Sequence, residues 1–493
     1  MERAIYPRTR WLAFIFVALL GLAVRLPQLG ERPMHTDEAI NGYIVGQLLS
    51  GEPFRYDSVD RHGPALSAIA LPLARMQGAR SFSDLTESEL RLAPVLAGTV
   101  TILLFGAAVD LFGFLPCIVA ALLFAFGPLP VYYDRYFIHE SLFCAATFGL
   151  ILSGWRAWKS YSLAYAAIAG TCAALMLASK ETAVLHFAAL AVAAVVFRLW
   201  KSSGEHASAG VGLRKWLIAS GTFVALSILL YTWFGRNWSA LPTLFKATPH
   251  LLSRAGGQGH AKAFWYFAQL LIGGQSGAVV ITLACIGLFA SMRRRDPSPY
   301  TFFAIYLLLI ASIYSAIPYK TPWLALNLWL PITLLAGGAI HLLWQAATSH
   351  AFGRIAVPAF GVFAVLAAAS LAHDTRERVF LHPADEGNPY AYAHTTDDIL
   401  GLTPEIAELA QRDGIPNPRI AVIASDPWPL PWYLRRFSQV GFWQPGQQPA
   451  KADFYITSTD AAEQYHDLLK DYRADFFGVR PGVLILLWLP TPK

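Results

Sequence analysis

Apolar runs close to the length of a bilayer crossing recur from residue 11 to residue 372, and they leave few folds open. A hydrocarbon core takes about 20 apolar residues per helix. Eleven stretches qualify: 11–29, 91–112, 115–131, 140–158, 162–179, 183–200, 214–234, 275–291, 299–317, 322–345 and 353–372. Such a chain reads as an all-α polytopic membrane bundle of about eleven transmembrane helices. Composition agrees, with 55% apolar and 14% charged residues, where a soluble protein carries roughly 25% charged. Residues 65–76, "ALSAIALPLARM", are apolar but short and contain a proline, which suits an interfacial or re-entrant segment better than a span.

The loops assign the two faces. With the N-terminus in the cytoplasm, the short loops that must also be cytoplasmic are "RAWK" at 156–159, "RLWKSSGEHASAGVGLRK" at 198–215 and "RRR" at 293–295. Arg3, Arg8 and Arg10 lie on the same side, so positive charge collects inside as membrane topology requires. The net charge of +6 is largely this excess and does not imply nucleic acid. "RLPQLGERP" offers no convincing cleavage site after the first run, which is therefore expected to stay as an uncleaved span in the plasma (inner) membrane. The opposite face holds 30–90, "YYDRYFIHES" at 132–141, "SKET" at 179–182, 235–274 and "PYKTPW" at 318–323. The acidic and histidine-bearing clusters near the spans all fall there. This sorting marks the outer face as the functional one.

Residues 1–372 thus form the expected transmembrane domain, with 31–90 as a large first outer loop carrying surface helices. Residues 373–493 change character, being richer in charge, Pro, Asp and Gln. "RIAVIAS", "ADFYITS" and "GVLILLWL" read as short buried strands. "TPEIAELAQRD" and "DAAEQYHDLLKDY" read as amphipathic helices. The expectation is a small soluble α/β domain, placed extracytoplasmically by the odd span count. It has no GxGxxG or GxxxxGK[ST] to suggest a nucleotide. Cys117, Cys144, Cys172 and Cys285 lie in apolar segments without metal-ligand spacing, so neither a disulfide framework nor a zinc site is expected.

Directly after the first span comes "GERPMHTDEAINGY". Thr36 suits an N-cap, and Asp37 and Glu38 then occupy the first turn, where the helix dipole favours carboxylates. Ile40, Tyr43, Ile44 and Leu48 make one apolar stripe, and Gly51 a stop, as in an amphipathic helix on the outer membrane surface. Two readings stay open locally: plain capping, or an ionised carboxylate held as a general base.

The order "HTDEA", "SGEPFRYD", "RHGPALSAIALPLARMQG", "RLAPVLAGTVTILLFGAAVDLFG" resembles the start of the GT-C membrane glycosyltransferases, the superfamily of protein O-mannosyltransferases (glycosyltransferase family 39) and aminoarabinose transferases. With "YDRYFIHES", "SKET" and "PYKTPW" it is most similar to the flippase-activity-associated branch. The resemblance covers roughly residues 10–345 and is weak beyond. It implies a GT-C bundle, a polyprenyl-phosphate sugar donor, Asp37 as catalytic base and Glu38 in support. Relatives often carry Lys-Pro-Pro after the surface helix, with the Lys near the donor phosphate; here His62-Gly63-Pro64 follows Arg61.

A lipid-phosphate donor needs an apolar groove, cations for the phosphate and a base for the acceptor. The outer-face candidates for donor binding are Arg61, His62, Arg135, Lys180, Tyr319 and Lys320, with His35, Asp134, His139, Glu140 and Glu181 as further possible site residues. Lys180 adjoins Glu181 and ends an apolar run, so snorkelling is the competing explanation. Glu140 and His139 equally suit buried structural pairs, and Trp323 an interface belt. A divalent ion (Mg or Mn), if one is used, would find His35 and Asp37, but the pattern is too short to require it. A single base without a protein nucleophile fits direct displacement with inversion. The acceptor, whether protein, lipid or glycan, is not encoded. The alternatives are a lipid-linked-sugar flippase and a non-catalytic scaffold. Transporters usually show inverted repeats and broken helices, which this sequence does not.

Overall fold

The structure is a computed structural model that describes residues 7–57, 61–160, 162–201, 212–254, 256, 260–294, 298–349 and 353–490. Arg3, residues 202–211 of the loop at 198–215, and Arg295 lie outside the described residues. The chain divides into two compact units. The first comprises Met1–Pro27, Pro53–Ile69 and Arg91–Leu381; the second comprises Gln28–Glu52, Ala70–Leu90 and His382–Lys493. The first outer loop is therefore shared between the units, and two of its stretches belong with the C-terminal chain.

In the first unit a helix stands at each expected span: Pro7–Arg25, Glu87–Ala107, Phe114–Phe126, Glu140–Lys159, Leu163–Ser179, Ala183–Lys201, Leu213–Tyr231, Gln275–Met292, Pro299–Ala316, Ala325–Ser349 and Gly353–Thr375. Among the described residues seven helices are long and apolar enough to cross a membrane, and Ala65–Met76, Phe114–Phe126 and Leu163–Ser179 are shorter apolar helices. The expected span at 115–131 is broken. Gly127 turns to an extended conformation and Pro128 starts a separate short helix, Pro128–Tyr133. A residue before proline is pushed out of the α region, and proline suits a helix's first turn. The helix Ala325–Ser349 lies deepest, with Leu326, Leu330, Leu334 and Ala336 at most 1% exposed.

The second unit contains a five-stranded sheet: β1 (Arg419–Ile423), β2 (Gln439–Trp443), β3 (Phe454–Ser458), β4 (Tyr472–Arg480) and β5 (Val483–Pro490), in the order β2-β1-β3-β5-β4. β1 pairs parallel with β2 and β3, whereas β5 is antiparallel to both β3 and β4. Register places Ala421 opposite Gly441 and Tyr455, and Ile456 opposite Leu487. The three strands read from sequence are the central ones, largely buried and hence rich in apolar residues. β2 and β4 are the edges and carry mixed side chains. "DAAEQYHDLLKDY", expected as one helix, is two short ones, Thr459–Gln464 and His466–Leu469, and its last residue, Tyr472, opens β4. Leu402–Arg412 buries Leu402, Ile406, Leu409 and Ala410, one helical face.

The helix Thr36–Leu49 belongs to this second unit. Its burial departs from a single apolar stripe, because Ala39, Gly42, Val45 and Gly46 are buried along with Ile44 and Leu48. A Cβ on Gly42 would lie 2.7 Å from the Trp432 ring, and one on Gly46 would lie 2.5 Å from the Phe82 ring. The helix is thus an enclosed core element of its unit.

Candidate functional site

In the second unit, the turn bearing Asp37 is built by a cap. The N-cap is His35 rather than Thr36. Its Nδ1 accepts the Asp37 backbone N–H at 3.0 Å, and Glu38 Oε2 accepts the His35 backbone N–H at 3.2 Å, closing a reciprocal capping box. Because Nδ1 accepts, Nε2 carries the ring proton, and it lies 3.1 Å from the Tyr392 carbonyl oxygen. Burial lowers the His35 pKa, against the opposing pull of Asp37 and Glu38. The neutral ring is the form that the cap requires. Glu38 is fully buried, with Oε1 at 3.7 Å from Arg32. Asp37 is half-buried. The support continues in the C-terminal chain. Thr395 donates to the Met34 carbonyl at 2.7 Å, Met34 N–H donates to the Tyr433 hydroxyl at 2.8 Å, and the His394 ring lies 5.3 Å from that of His35. None of these contacts has a local sequence signal, since the partners lie more than 350 residues away.

A divalent ion at His35 and Asp37 would have to displace one of the two ring hydrogen bonds of His35. These two residues therefore fit a metal poorly as a pair. Among the described residues, no group of three or more His, Cys, Asp or Glu is placed to hold an ion.

In the first unit, five of the candidates converge. Lys180 and Glu140 form a buried ion pair. Glu181 accepts from the Tyr56 hydroxyl through Oε1 and from His62 Nδ1 through Oε2, each at 2.8 Å. The His139 ring meets the His62 ring edge-on at 5.2 Å. The backbone explains the placement. A Cβ on Gly63 would lie 2.2 Å from the Ala178 carbonyl oxygen, so glycine is required where the His62 segment presses on the end of helix Leu163–Ser179. Burial raises the Glu181 carboxyl, but the His62 charge and the hydrogen bonds from His62 and Tyr56 outweigh it and hold the pKa at about 2. His139 is pushed well below the ordinary imidazole range by burial, then by the charges of His62 and Lys180. Tyr56 is the member of this group that sequence reading missed; an isolated tyrosine in "PFRYD" carries no distinguishing pattern.

Other candidates are engaged elsewhere in the same unit. Asp134 pairs with Arg25, Oδ2 lying 2.8 Å from the guanidinium, and both side chains are fully buried. Arg25 further donates to the carbonyls of Gly21, Phe124 and Ala125, so this pair ties the first span to its neighbours. Arg135 donates to the carbonyls of Arg25 and Pro27 at 3.0 and 2.5 Å and stacks over Phe380 at 4.7 Å. Lys320 donates to the carbonyls of Ile317 and Lys262 at 2.5 and 3.3 Å, and the Tyr319 ring packs on His260 at 4.8 Å. Arg61 donates to the Arg55 carbonyl at 3.4 Å, on the exposed side. Trp323 is 7% exposed, inside the bundle rather than on a belt.

The fold these helices and this sheet define is that of the GT-C membrane glycosyltransferases. Residues 78–219 match the family described as dolichyl-phosphate-mannose-protein mannosyltransferase. The structure of ArnT from Cupriavidus metallidurans, bound to undecaprenyl phosphate, superposes with a TM-score of 0.68 at 16% identity, covering 98% of this chain and 99% of that one. The archaeal oligosaccharyltransferase AglB from Archaeoglobus fulgidus, in complex with an inhibitory peptide and a dolichol-phosphate, gives 0.57 at 13% identity over 98% of this chain and 76% of its own. The arabinofuranosyltransferase AftD from Mycobacteria gives 0.52 at 16% identity over 99% and 40%. No protein of curated function is similar enough in sequence to match.

Proposed function

We propose that this chain is an integral membrane glycosyltransferase that moves a sugar from a polyprenyl-phosphate donor to an extracytoplasmic acceptor. One observation carries the reading: the GT-C fold spans nearly the whole chain, with ArnT itself seen holding undecaprenyl phosphate. Lys180 and His62, each held by a carboxylate at a span end, supply hydrogen-bond donors for such a headgroup.

Asp37 takes the acceptor proton. The acceptor atom then bonds to the anomeric carbon as the carbon–oxygen bond to phosphate breaks, and the electron pair leaves on the phosphate oxygen. One displacement inverts the anomeric centre, in contrast to the two carboxylates of retaining hydrolases. Glu38 serves by fixing the turn that presents Asp37. Lys180, Arg61 and His62 are assigned to the donor phosphate. Arg135, Lys320 and Tyr319, bound to backbone or packed in loops, are assigned to framing it. The N-terminus is placed in the cytoplasm and the C-terminal domain outside, on the charge of the loops.

The test is transfer from radiolabelled polyprenyl-phosphate sugars by the purified chain in lipid, compared with Asp37→Asn. Loss of a general base should lower the rate about 10²–10⁴-fold, while the variant melts as the wild type does. A wild type that binds donor and moves it between leaflets, but transfers sugar to no acceptor, would replace this reading with the flippase.

A further inference from the structure

We propose that a cavity among the helices Glu140–Lys159, Leu163–Ser179, Ala183–Lys201 and Leu213–Tyr231 binds a fatty chain of an anionic phospholipid, whose phosphate is held at the rim by Arg198 and Lys215. The site is separate from the cluster around Lys180, and it does not rest on the transferase reading.

The cavity has a volume of about 690 Å³, within the range of roughly 300–1,000 Å³ that ligand sites occupy. Part of its wall is aromatic, with Trp155 packed edge-on against Trp158 and Phe197 at 5.4 Å each. Small residues line much of the rest, among them Ala169, Ala191 and Ala194. A Cβ on Gly154 would meet nothing within 4 Å, so open space begins at the backbone there. A Cβ on Gly170 would instead lie 2.2 Å from the Ala219 carbonyl oxygen, so at that point two helices close together.

The lining also fixes which end of the bundle this is. Trp155 and Trp158 lie at the end of Glu140–Lys159, Arg198 at the end of Ala183–Lys201, and Lys215 and Trp216 at the start of Leu213–Tyr231. Glu140 and Lys180 stand at the opposite helix ends, with Glu140 about 27 Å from Trp158 along their shared helix. In the orientation proposed above, the cavity is therefore at the cytoplasmic end. Between it and Lys180 lies a packed layer, in which Phe143, Ala146, Met176 and Ala183 are buried and Phe187 packs against them. The Phe143 ring also meets that of His186 at 4.7 Å. A polyprenyl chain anchored at Lys180 would have to cross this layer, whereas a lipid of the cytoplasmic leaflet would not.

Charge at the rim selects the headgroup. Arg198 is exposed and, among the described residues, meets no carboxylate. Lys215 donates to the carbonyls of Ala157 and Ser160, bonds that fix the ammonium and leave its charge. Lys159 stands over the Trp158 ring at 4.5 Å. Asp110, from a neighbouring helix, is taken by Arg156 at 2.7 Å. Cations at the mouth of an apolar cavity complement a lipid that joins fatty chains to a phosphate. Trp216, 60% exposed, suits the level of the headgroups.

The test is native mass spectrometry of the full-length protein released from nanodiscs of phosphatidylglycerol and phosphatidylcholine in equal amounts. The wild type should retain one phosphatidylglycerol with about tenfold preference over phosphatidylcholine, as one charge-assisted contact gives. Arg198→Gln should bring that preference close to parity. Gly154→Leu puts a side chain into the open space and should retain neither lipid while melting as the wild type does. Ala194→Phe fills the same cavity from another helix and should do likewise, which keeps the test decisive if one variant fails to fold. Undecaprenyl phosphate, added as competitor, should leave the phosphatidylglycerol in place. Four results would overturn the proposal: no preference in the wild type, a preference that survives Arg198→Gln, lipid retained in both filled variants, or displacement by undecaprenyl phosphate, which would make the cavity a groove for the donor's tail. The readout is bound lipid rather than sugar transfer. A chain that transfers sugar but shows no preference loses this site and keeps the transferase reading, and a chain with the preference and no transfer does the reverse.

Discussion

Lys180 and Glu181 are neighbours in sequence and look like each other's partners, yet each serves a different group. Lys180 has an extended backbone, φ −155° and ψ 141°, and successive side chains on extended backbone point to opposite sides. Lys180 therefore reaches Glu140 while Glu181 reaches His62 and Tyr56. Sequence reading found the residues of this cluster other than Tyr56 from their shared face but could not pair them, because the pairings run over 40 to 125 positions. The base assignment at Asp37 is legible only through family resemblance; locally, capping accounts for it equally well. Two outcomes belong at this scale. The Glu181 carboxyl sits at about 2 in the folded chain against an ordinary 4.5. A depressed folded value contributes stability that is present above the unfolded value and is lost as pH falls through the folded one. Melting temperature should thus fall between about pH 4.5 and 2, by a loss on the order of 3 kcal/mol, and Glu181→Gln should flatten that limb. Asp134→Ala leaves Arg25 charged and buried without its carboxylate, which costs about 3–5 kcal/mol; the expected readout is loss of folded protein on size exclusion in detergent.

Elements show where periodicity informs and where it misleads. Spans were legible because lipid demands length and apolarity together, and β1, β3 and β5 because central strands are rich in apolar residues. Edge strands β2 and β4 were not, since a strand with one open side tolerates the Arg473, Asp475 and Arg480 found in β4. The helix Thr36–Leu49 was legible as a helix but not as a core element. Its small residues Gly42 and Gly46 are contact points for Trp432 and Phe82, which an amphipathic pattern counts as gaps. Gly42→Val should therefore force Trp432 out of place and destabilise the second unit by about 1–3 kcal/mol, seen as earlier proteolysis of the C-terminal chain. At the cap, His35→Ala should cost about 1 kcal/mol and His35→Asn much less, by thermal melting of the same unit.

At the scale of the whole molecule, three separated stretches make the second unit, with residues 28–52 and 70–90 joined to 382–493. The C-terminal chain is thus no appendage. Stopping the chain at residue 381 should leave the helix Thr36–Leu49 without Trp432 and Tyr433, and expose 28–52 to protease even where the span helices still insert.

This weaving also sets an order of events during synthesis. Met34 awaits Tyr433, made 399 residues later. At about 5–20 residues per second, that interval is roughly 20–80 s. Throughout it the turn carrying Asp37 has left the ribosome without its scaffold, so that turn stays incomplete until Tyr433 emerges. A ribosome stalled before codon 433 would therefore leave an inserted bundle whose Asp37 turn lacks the Tyr433 contact.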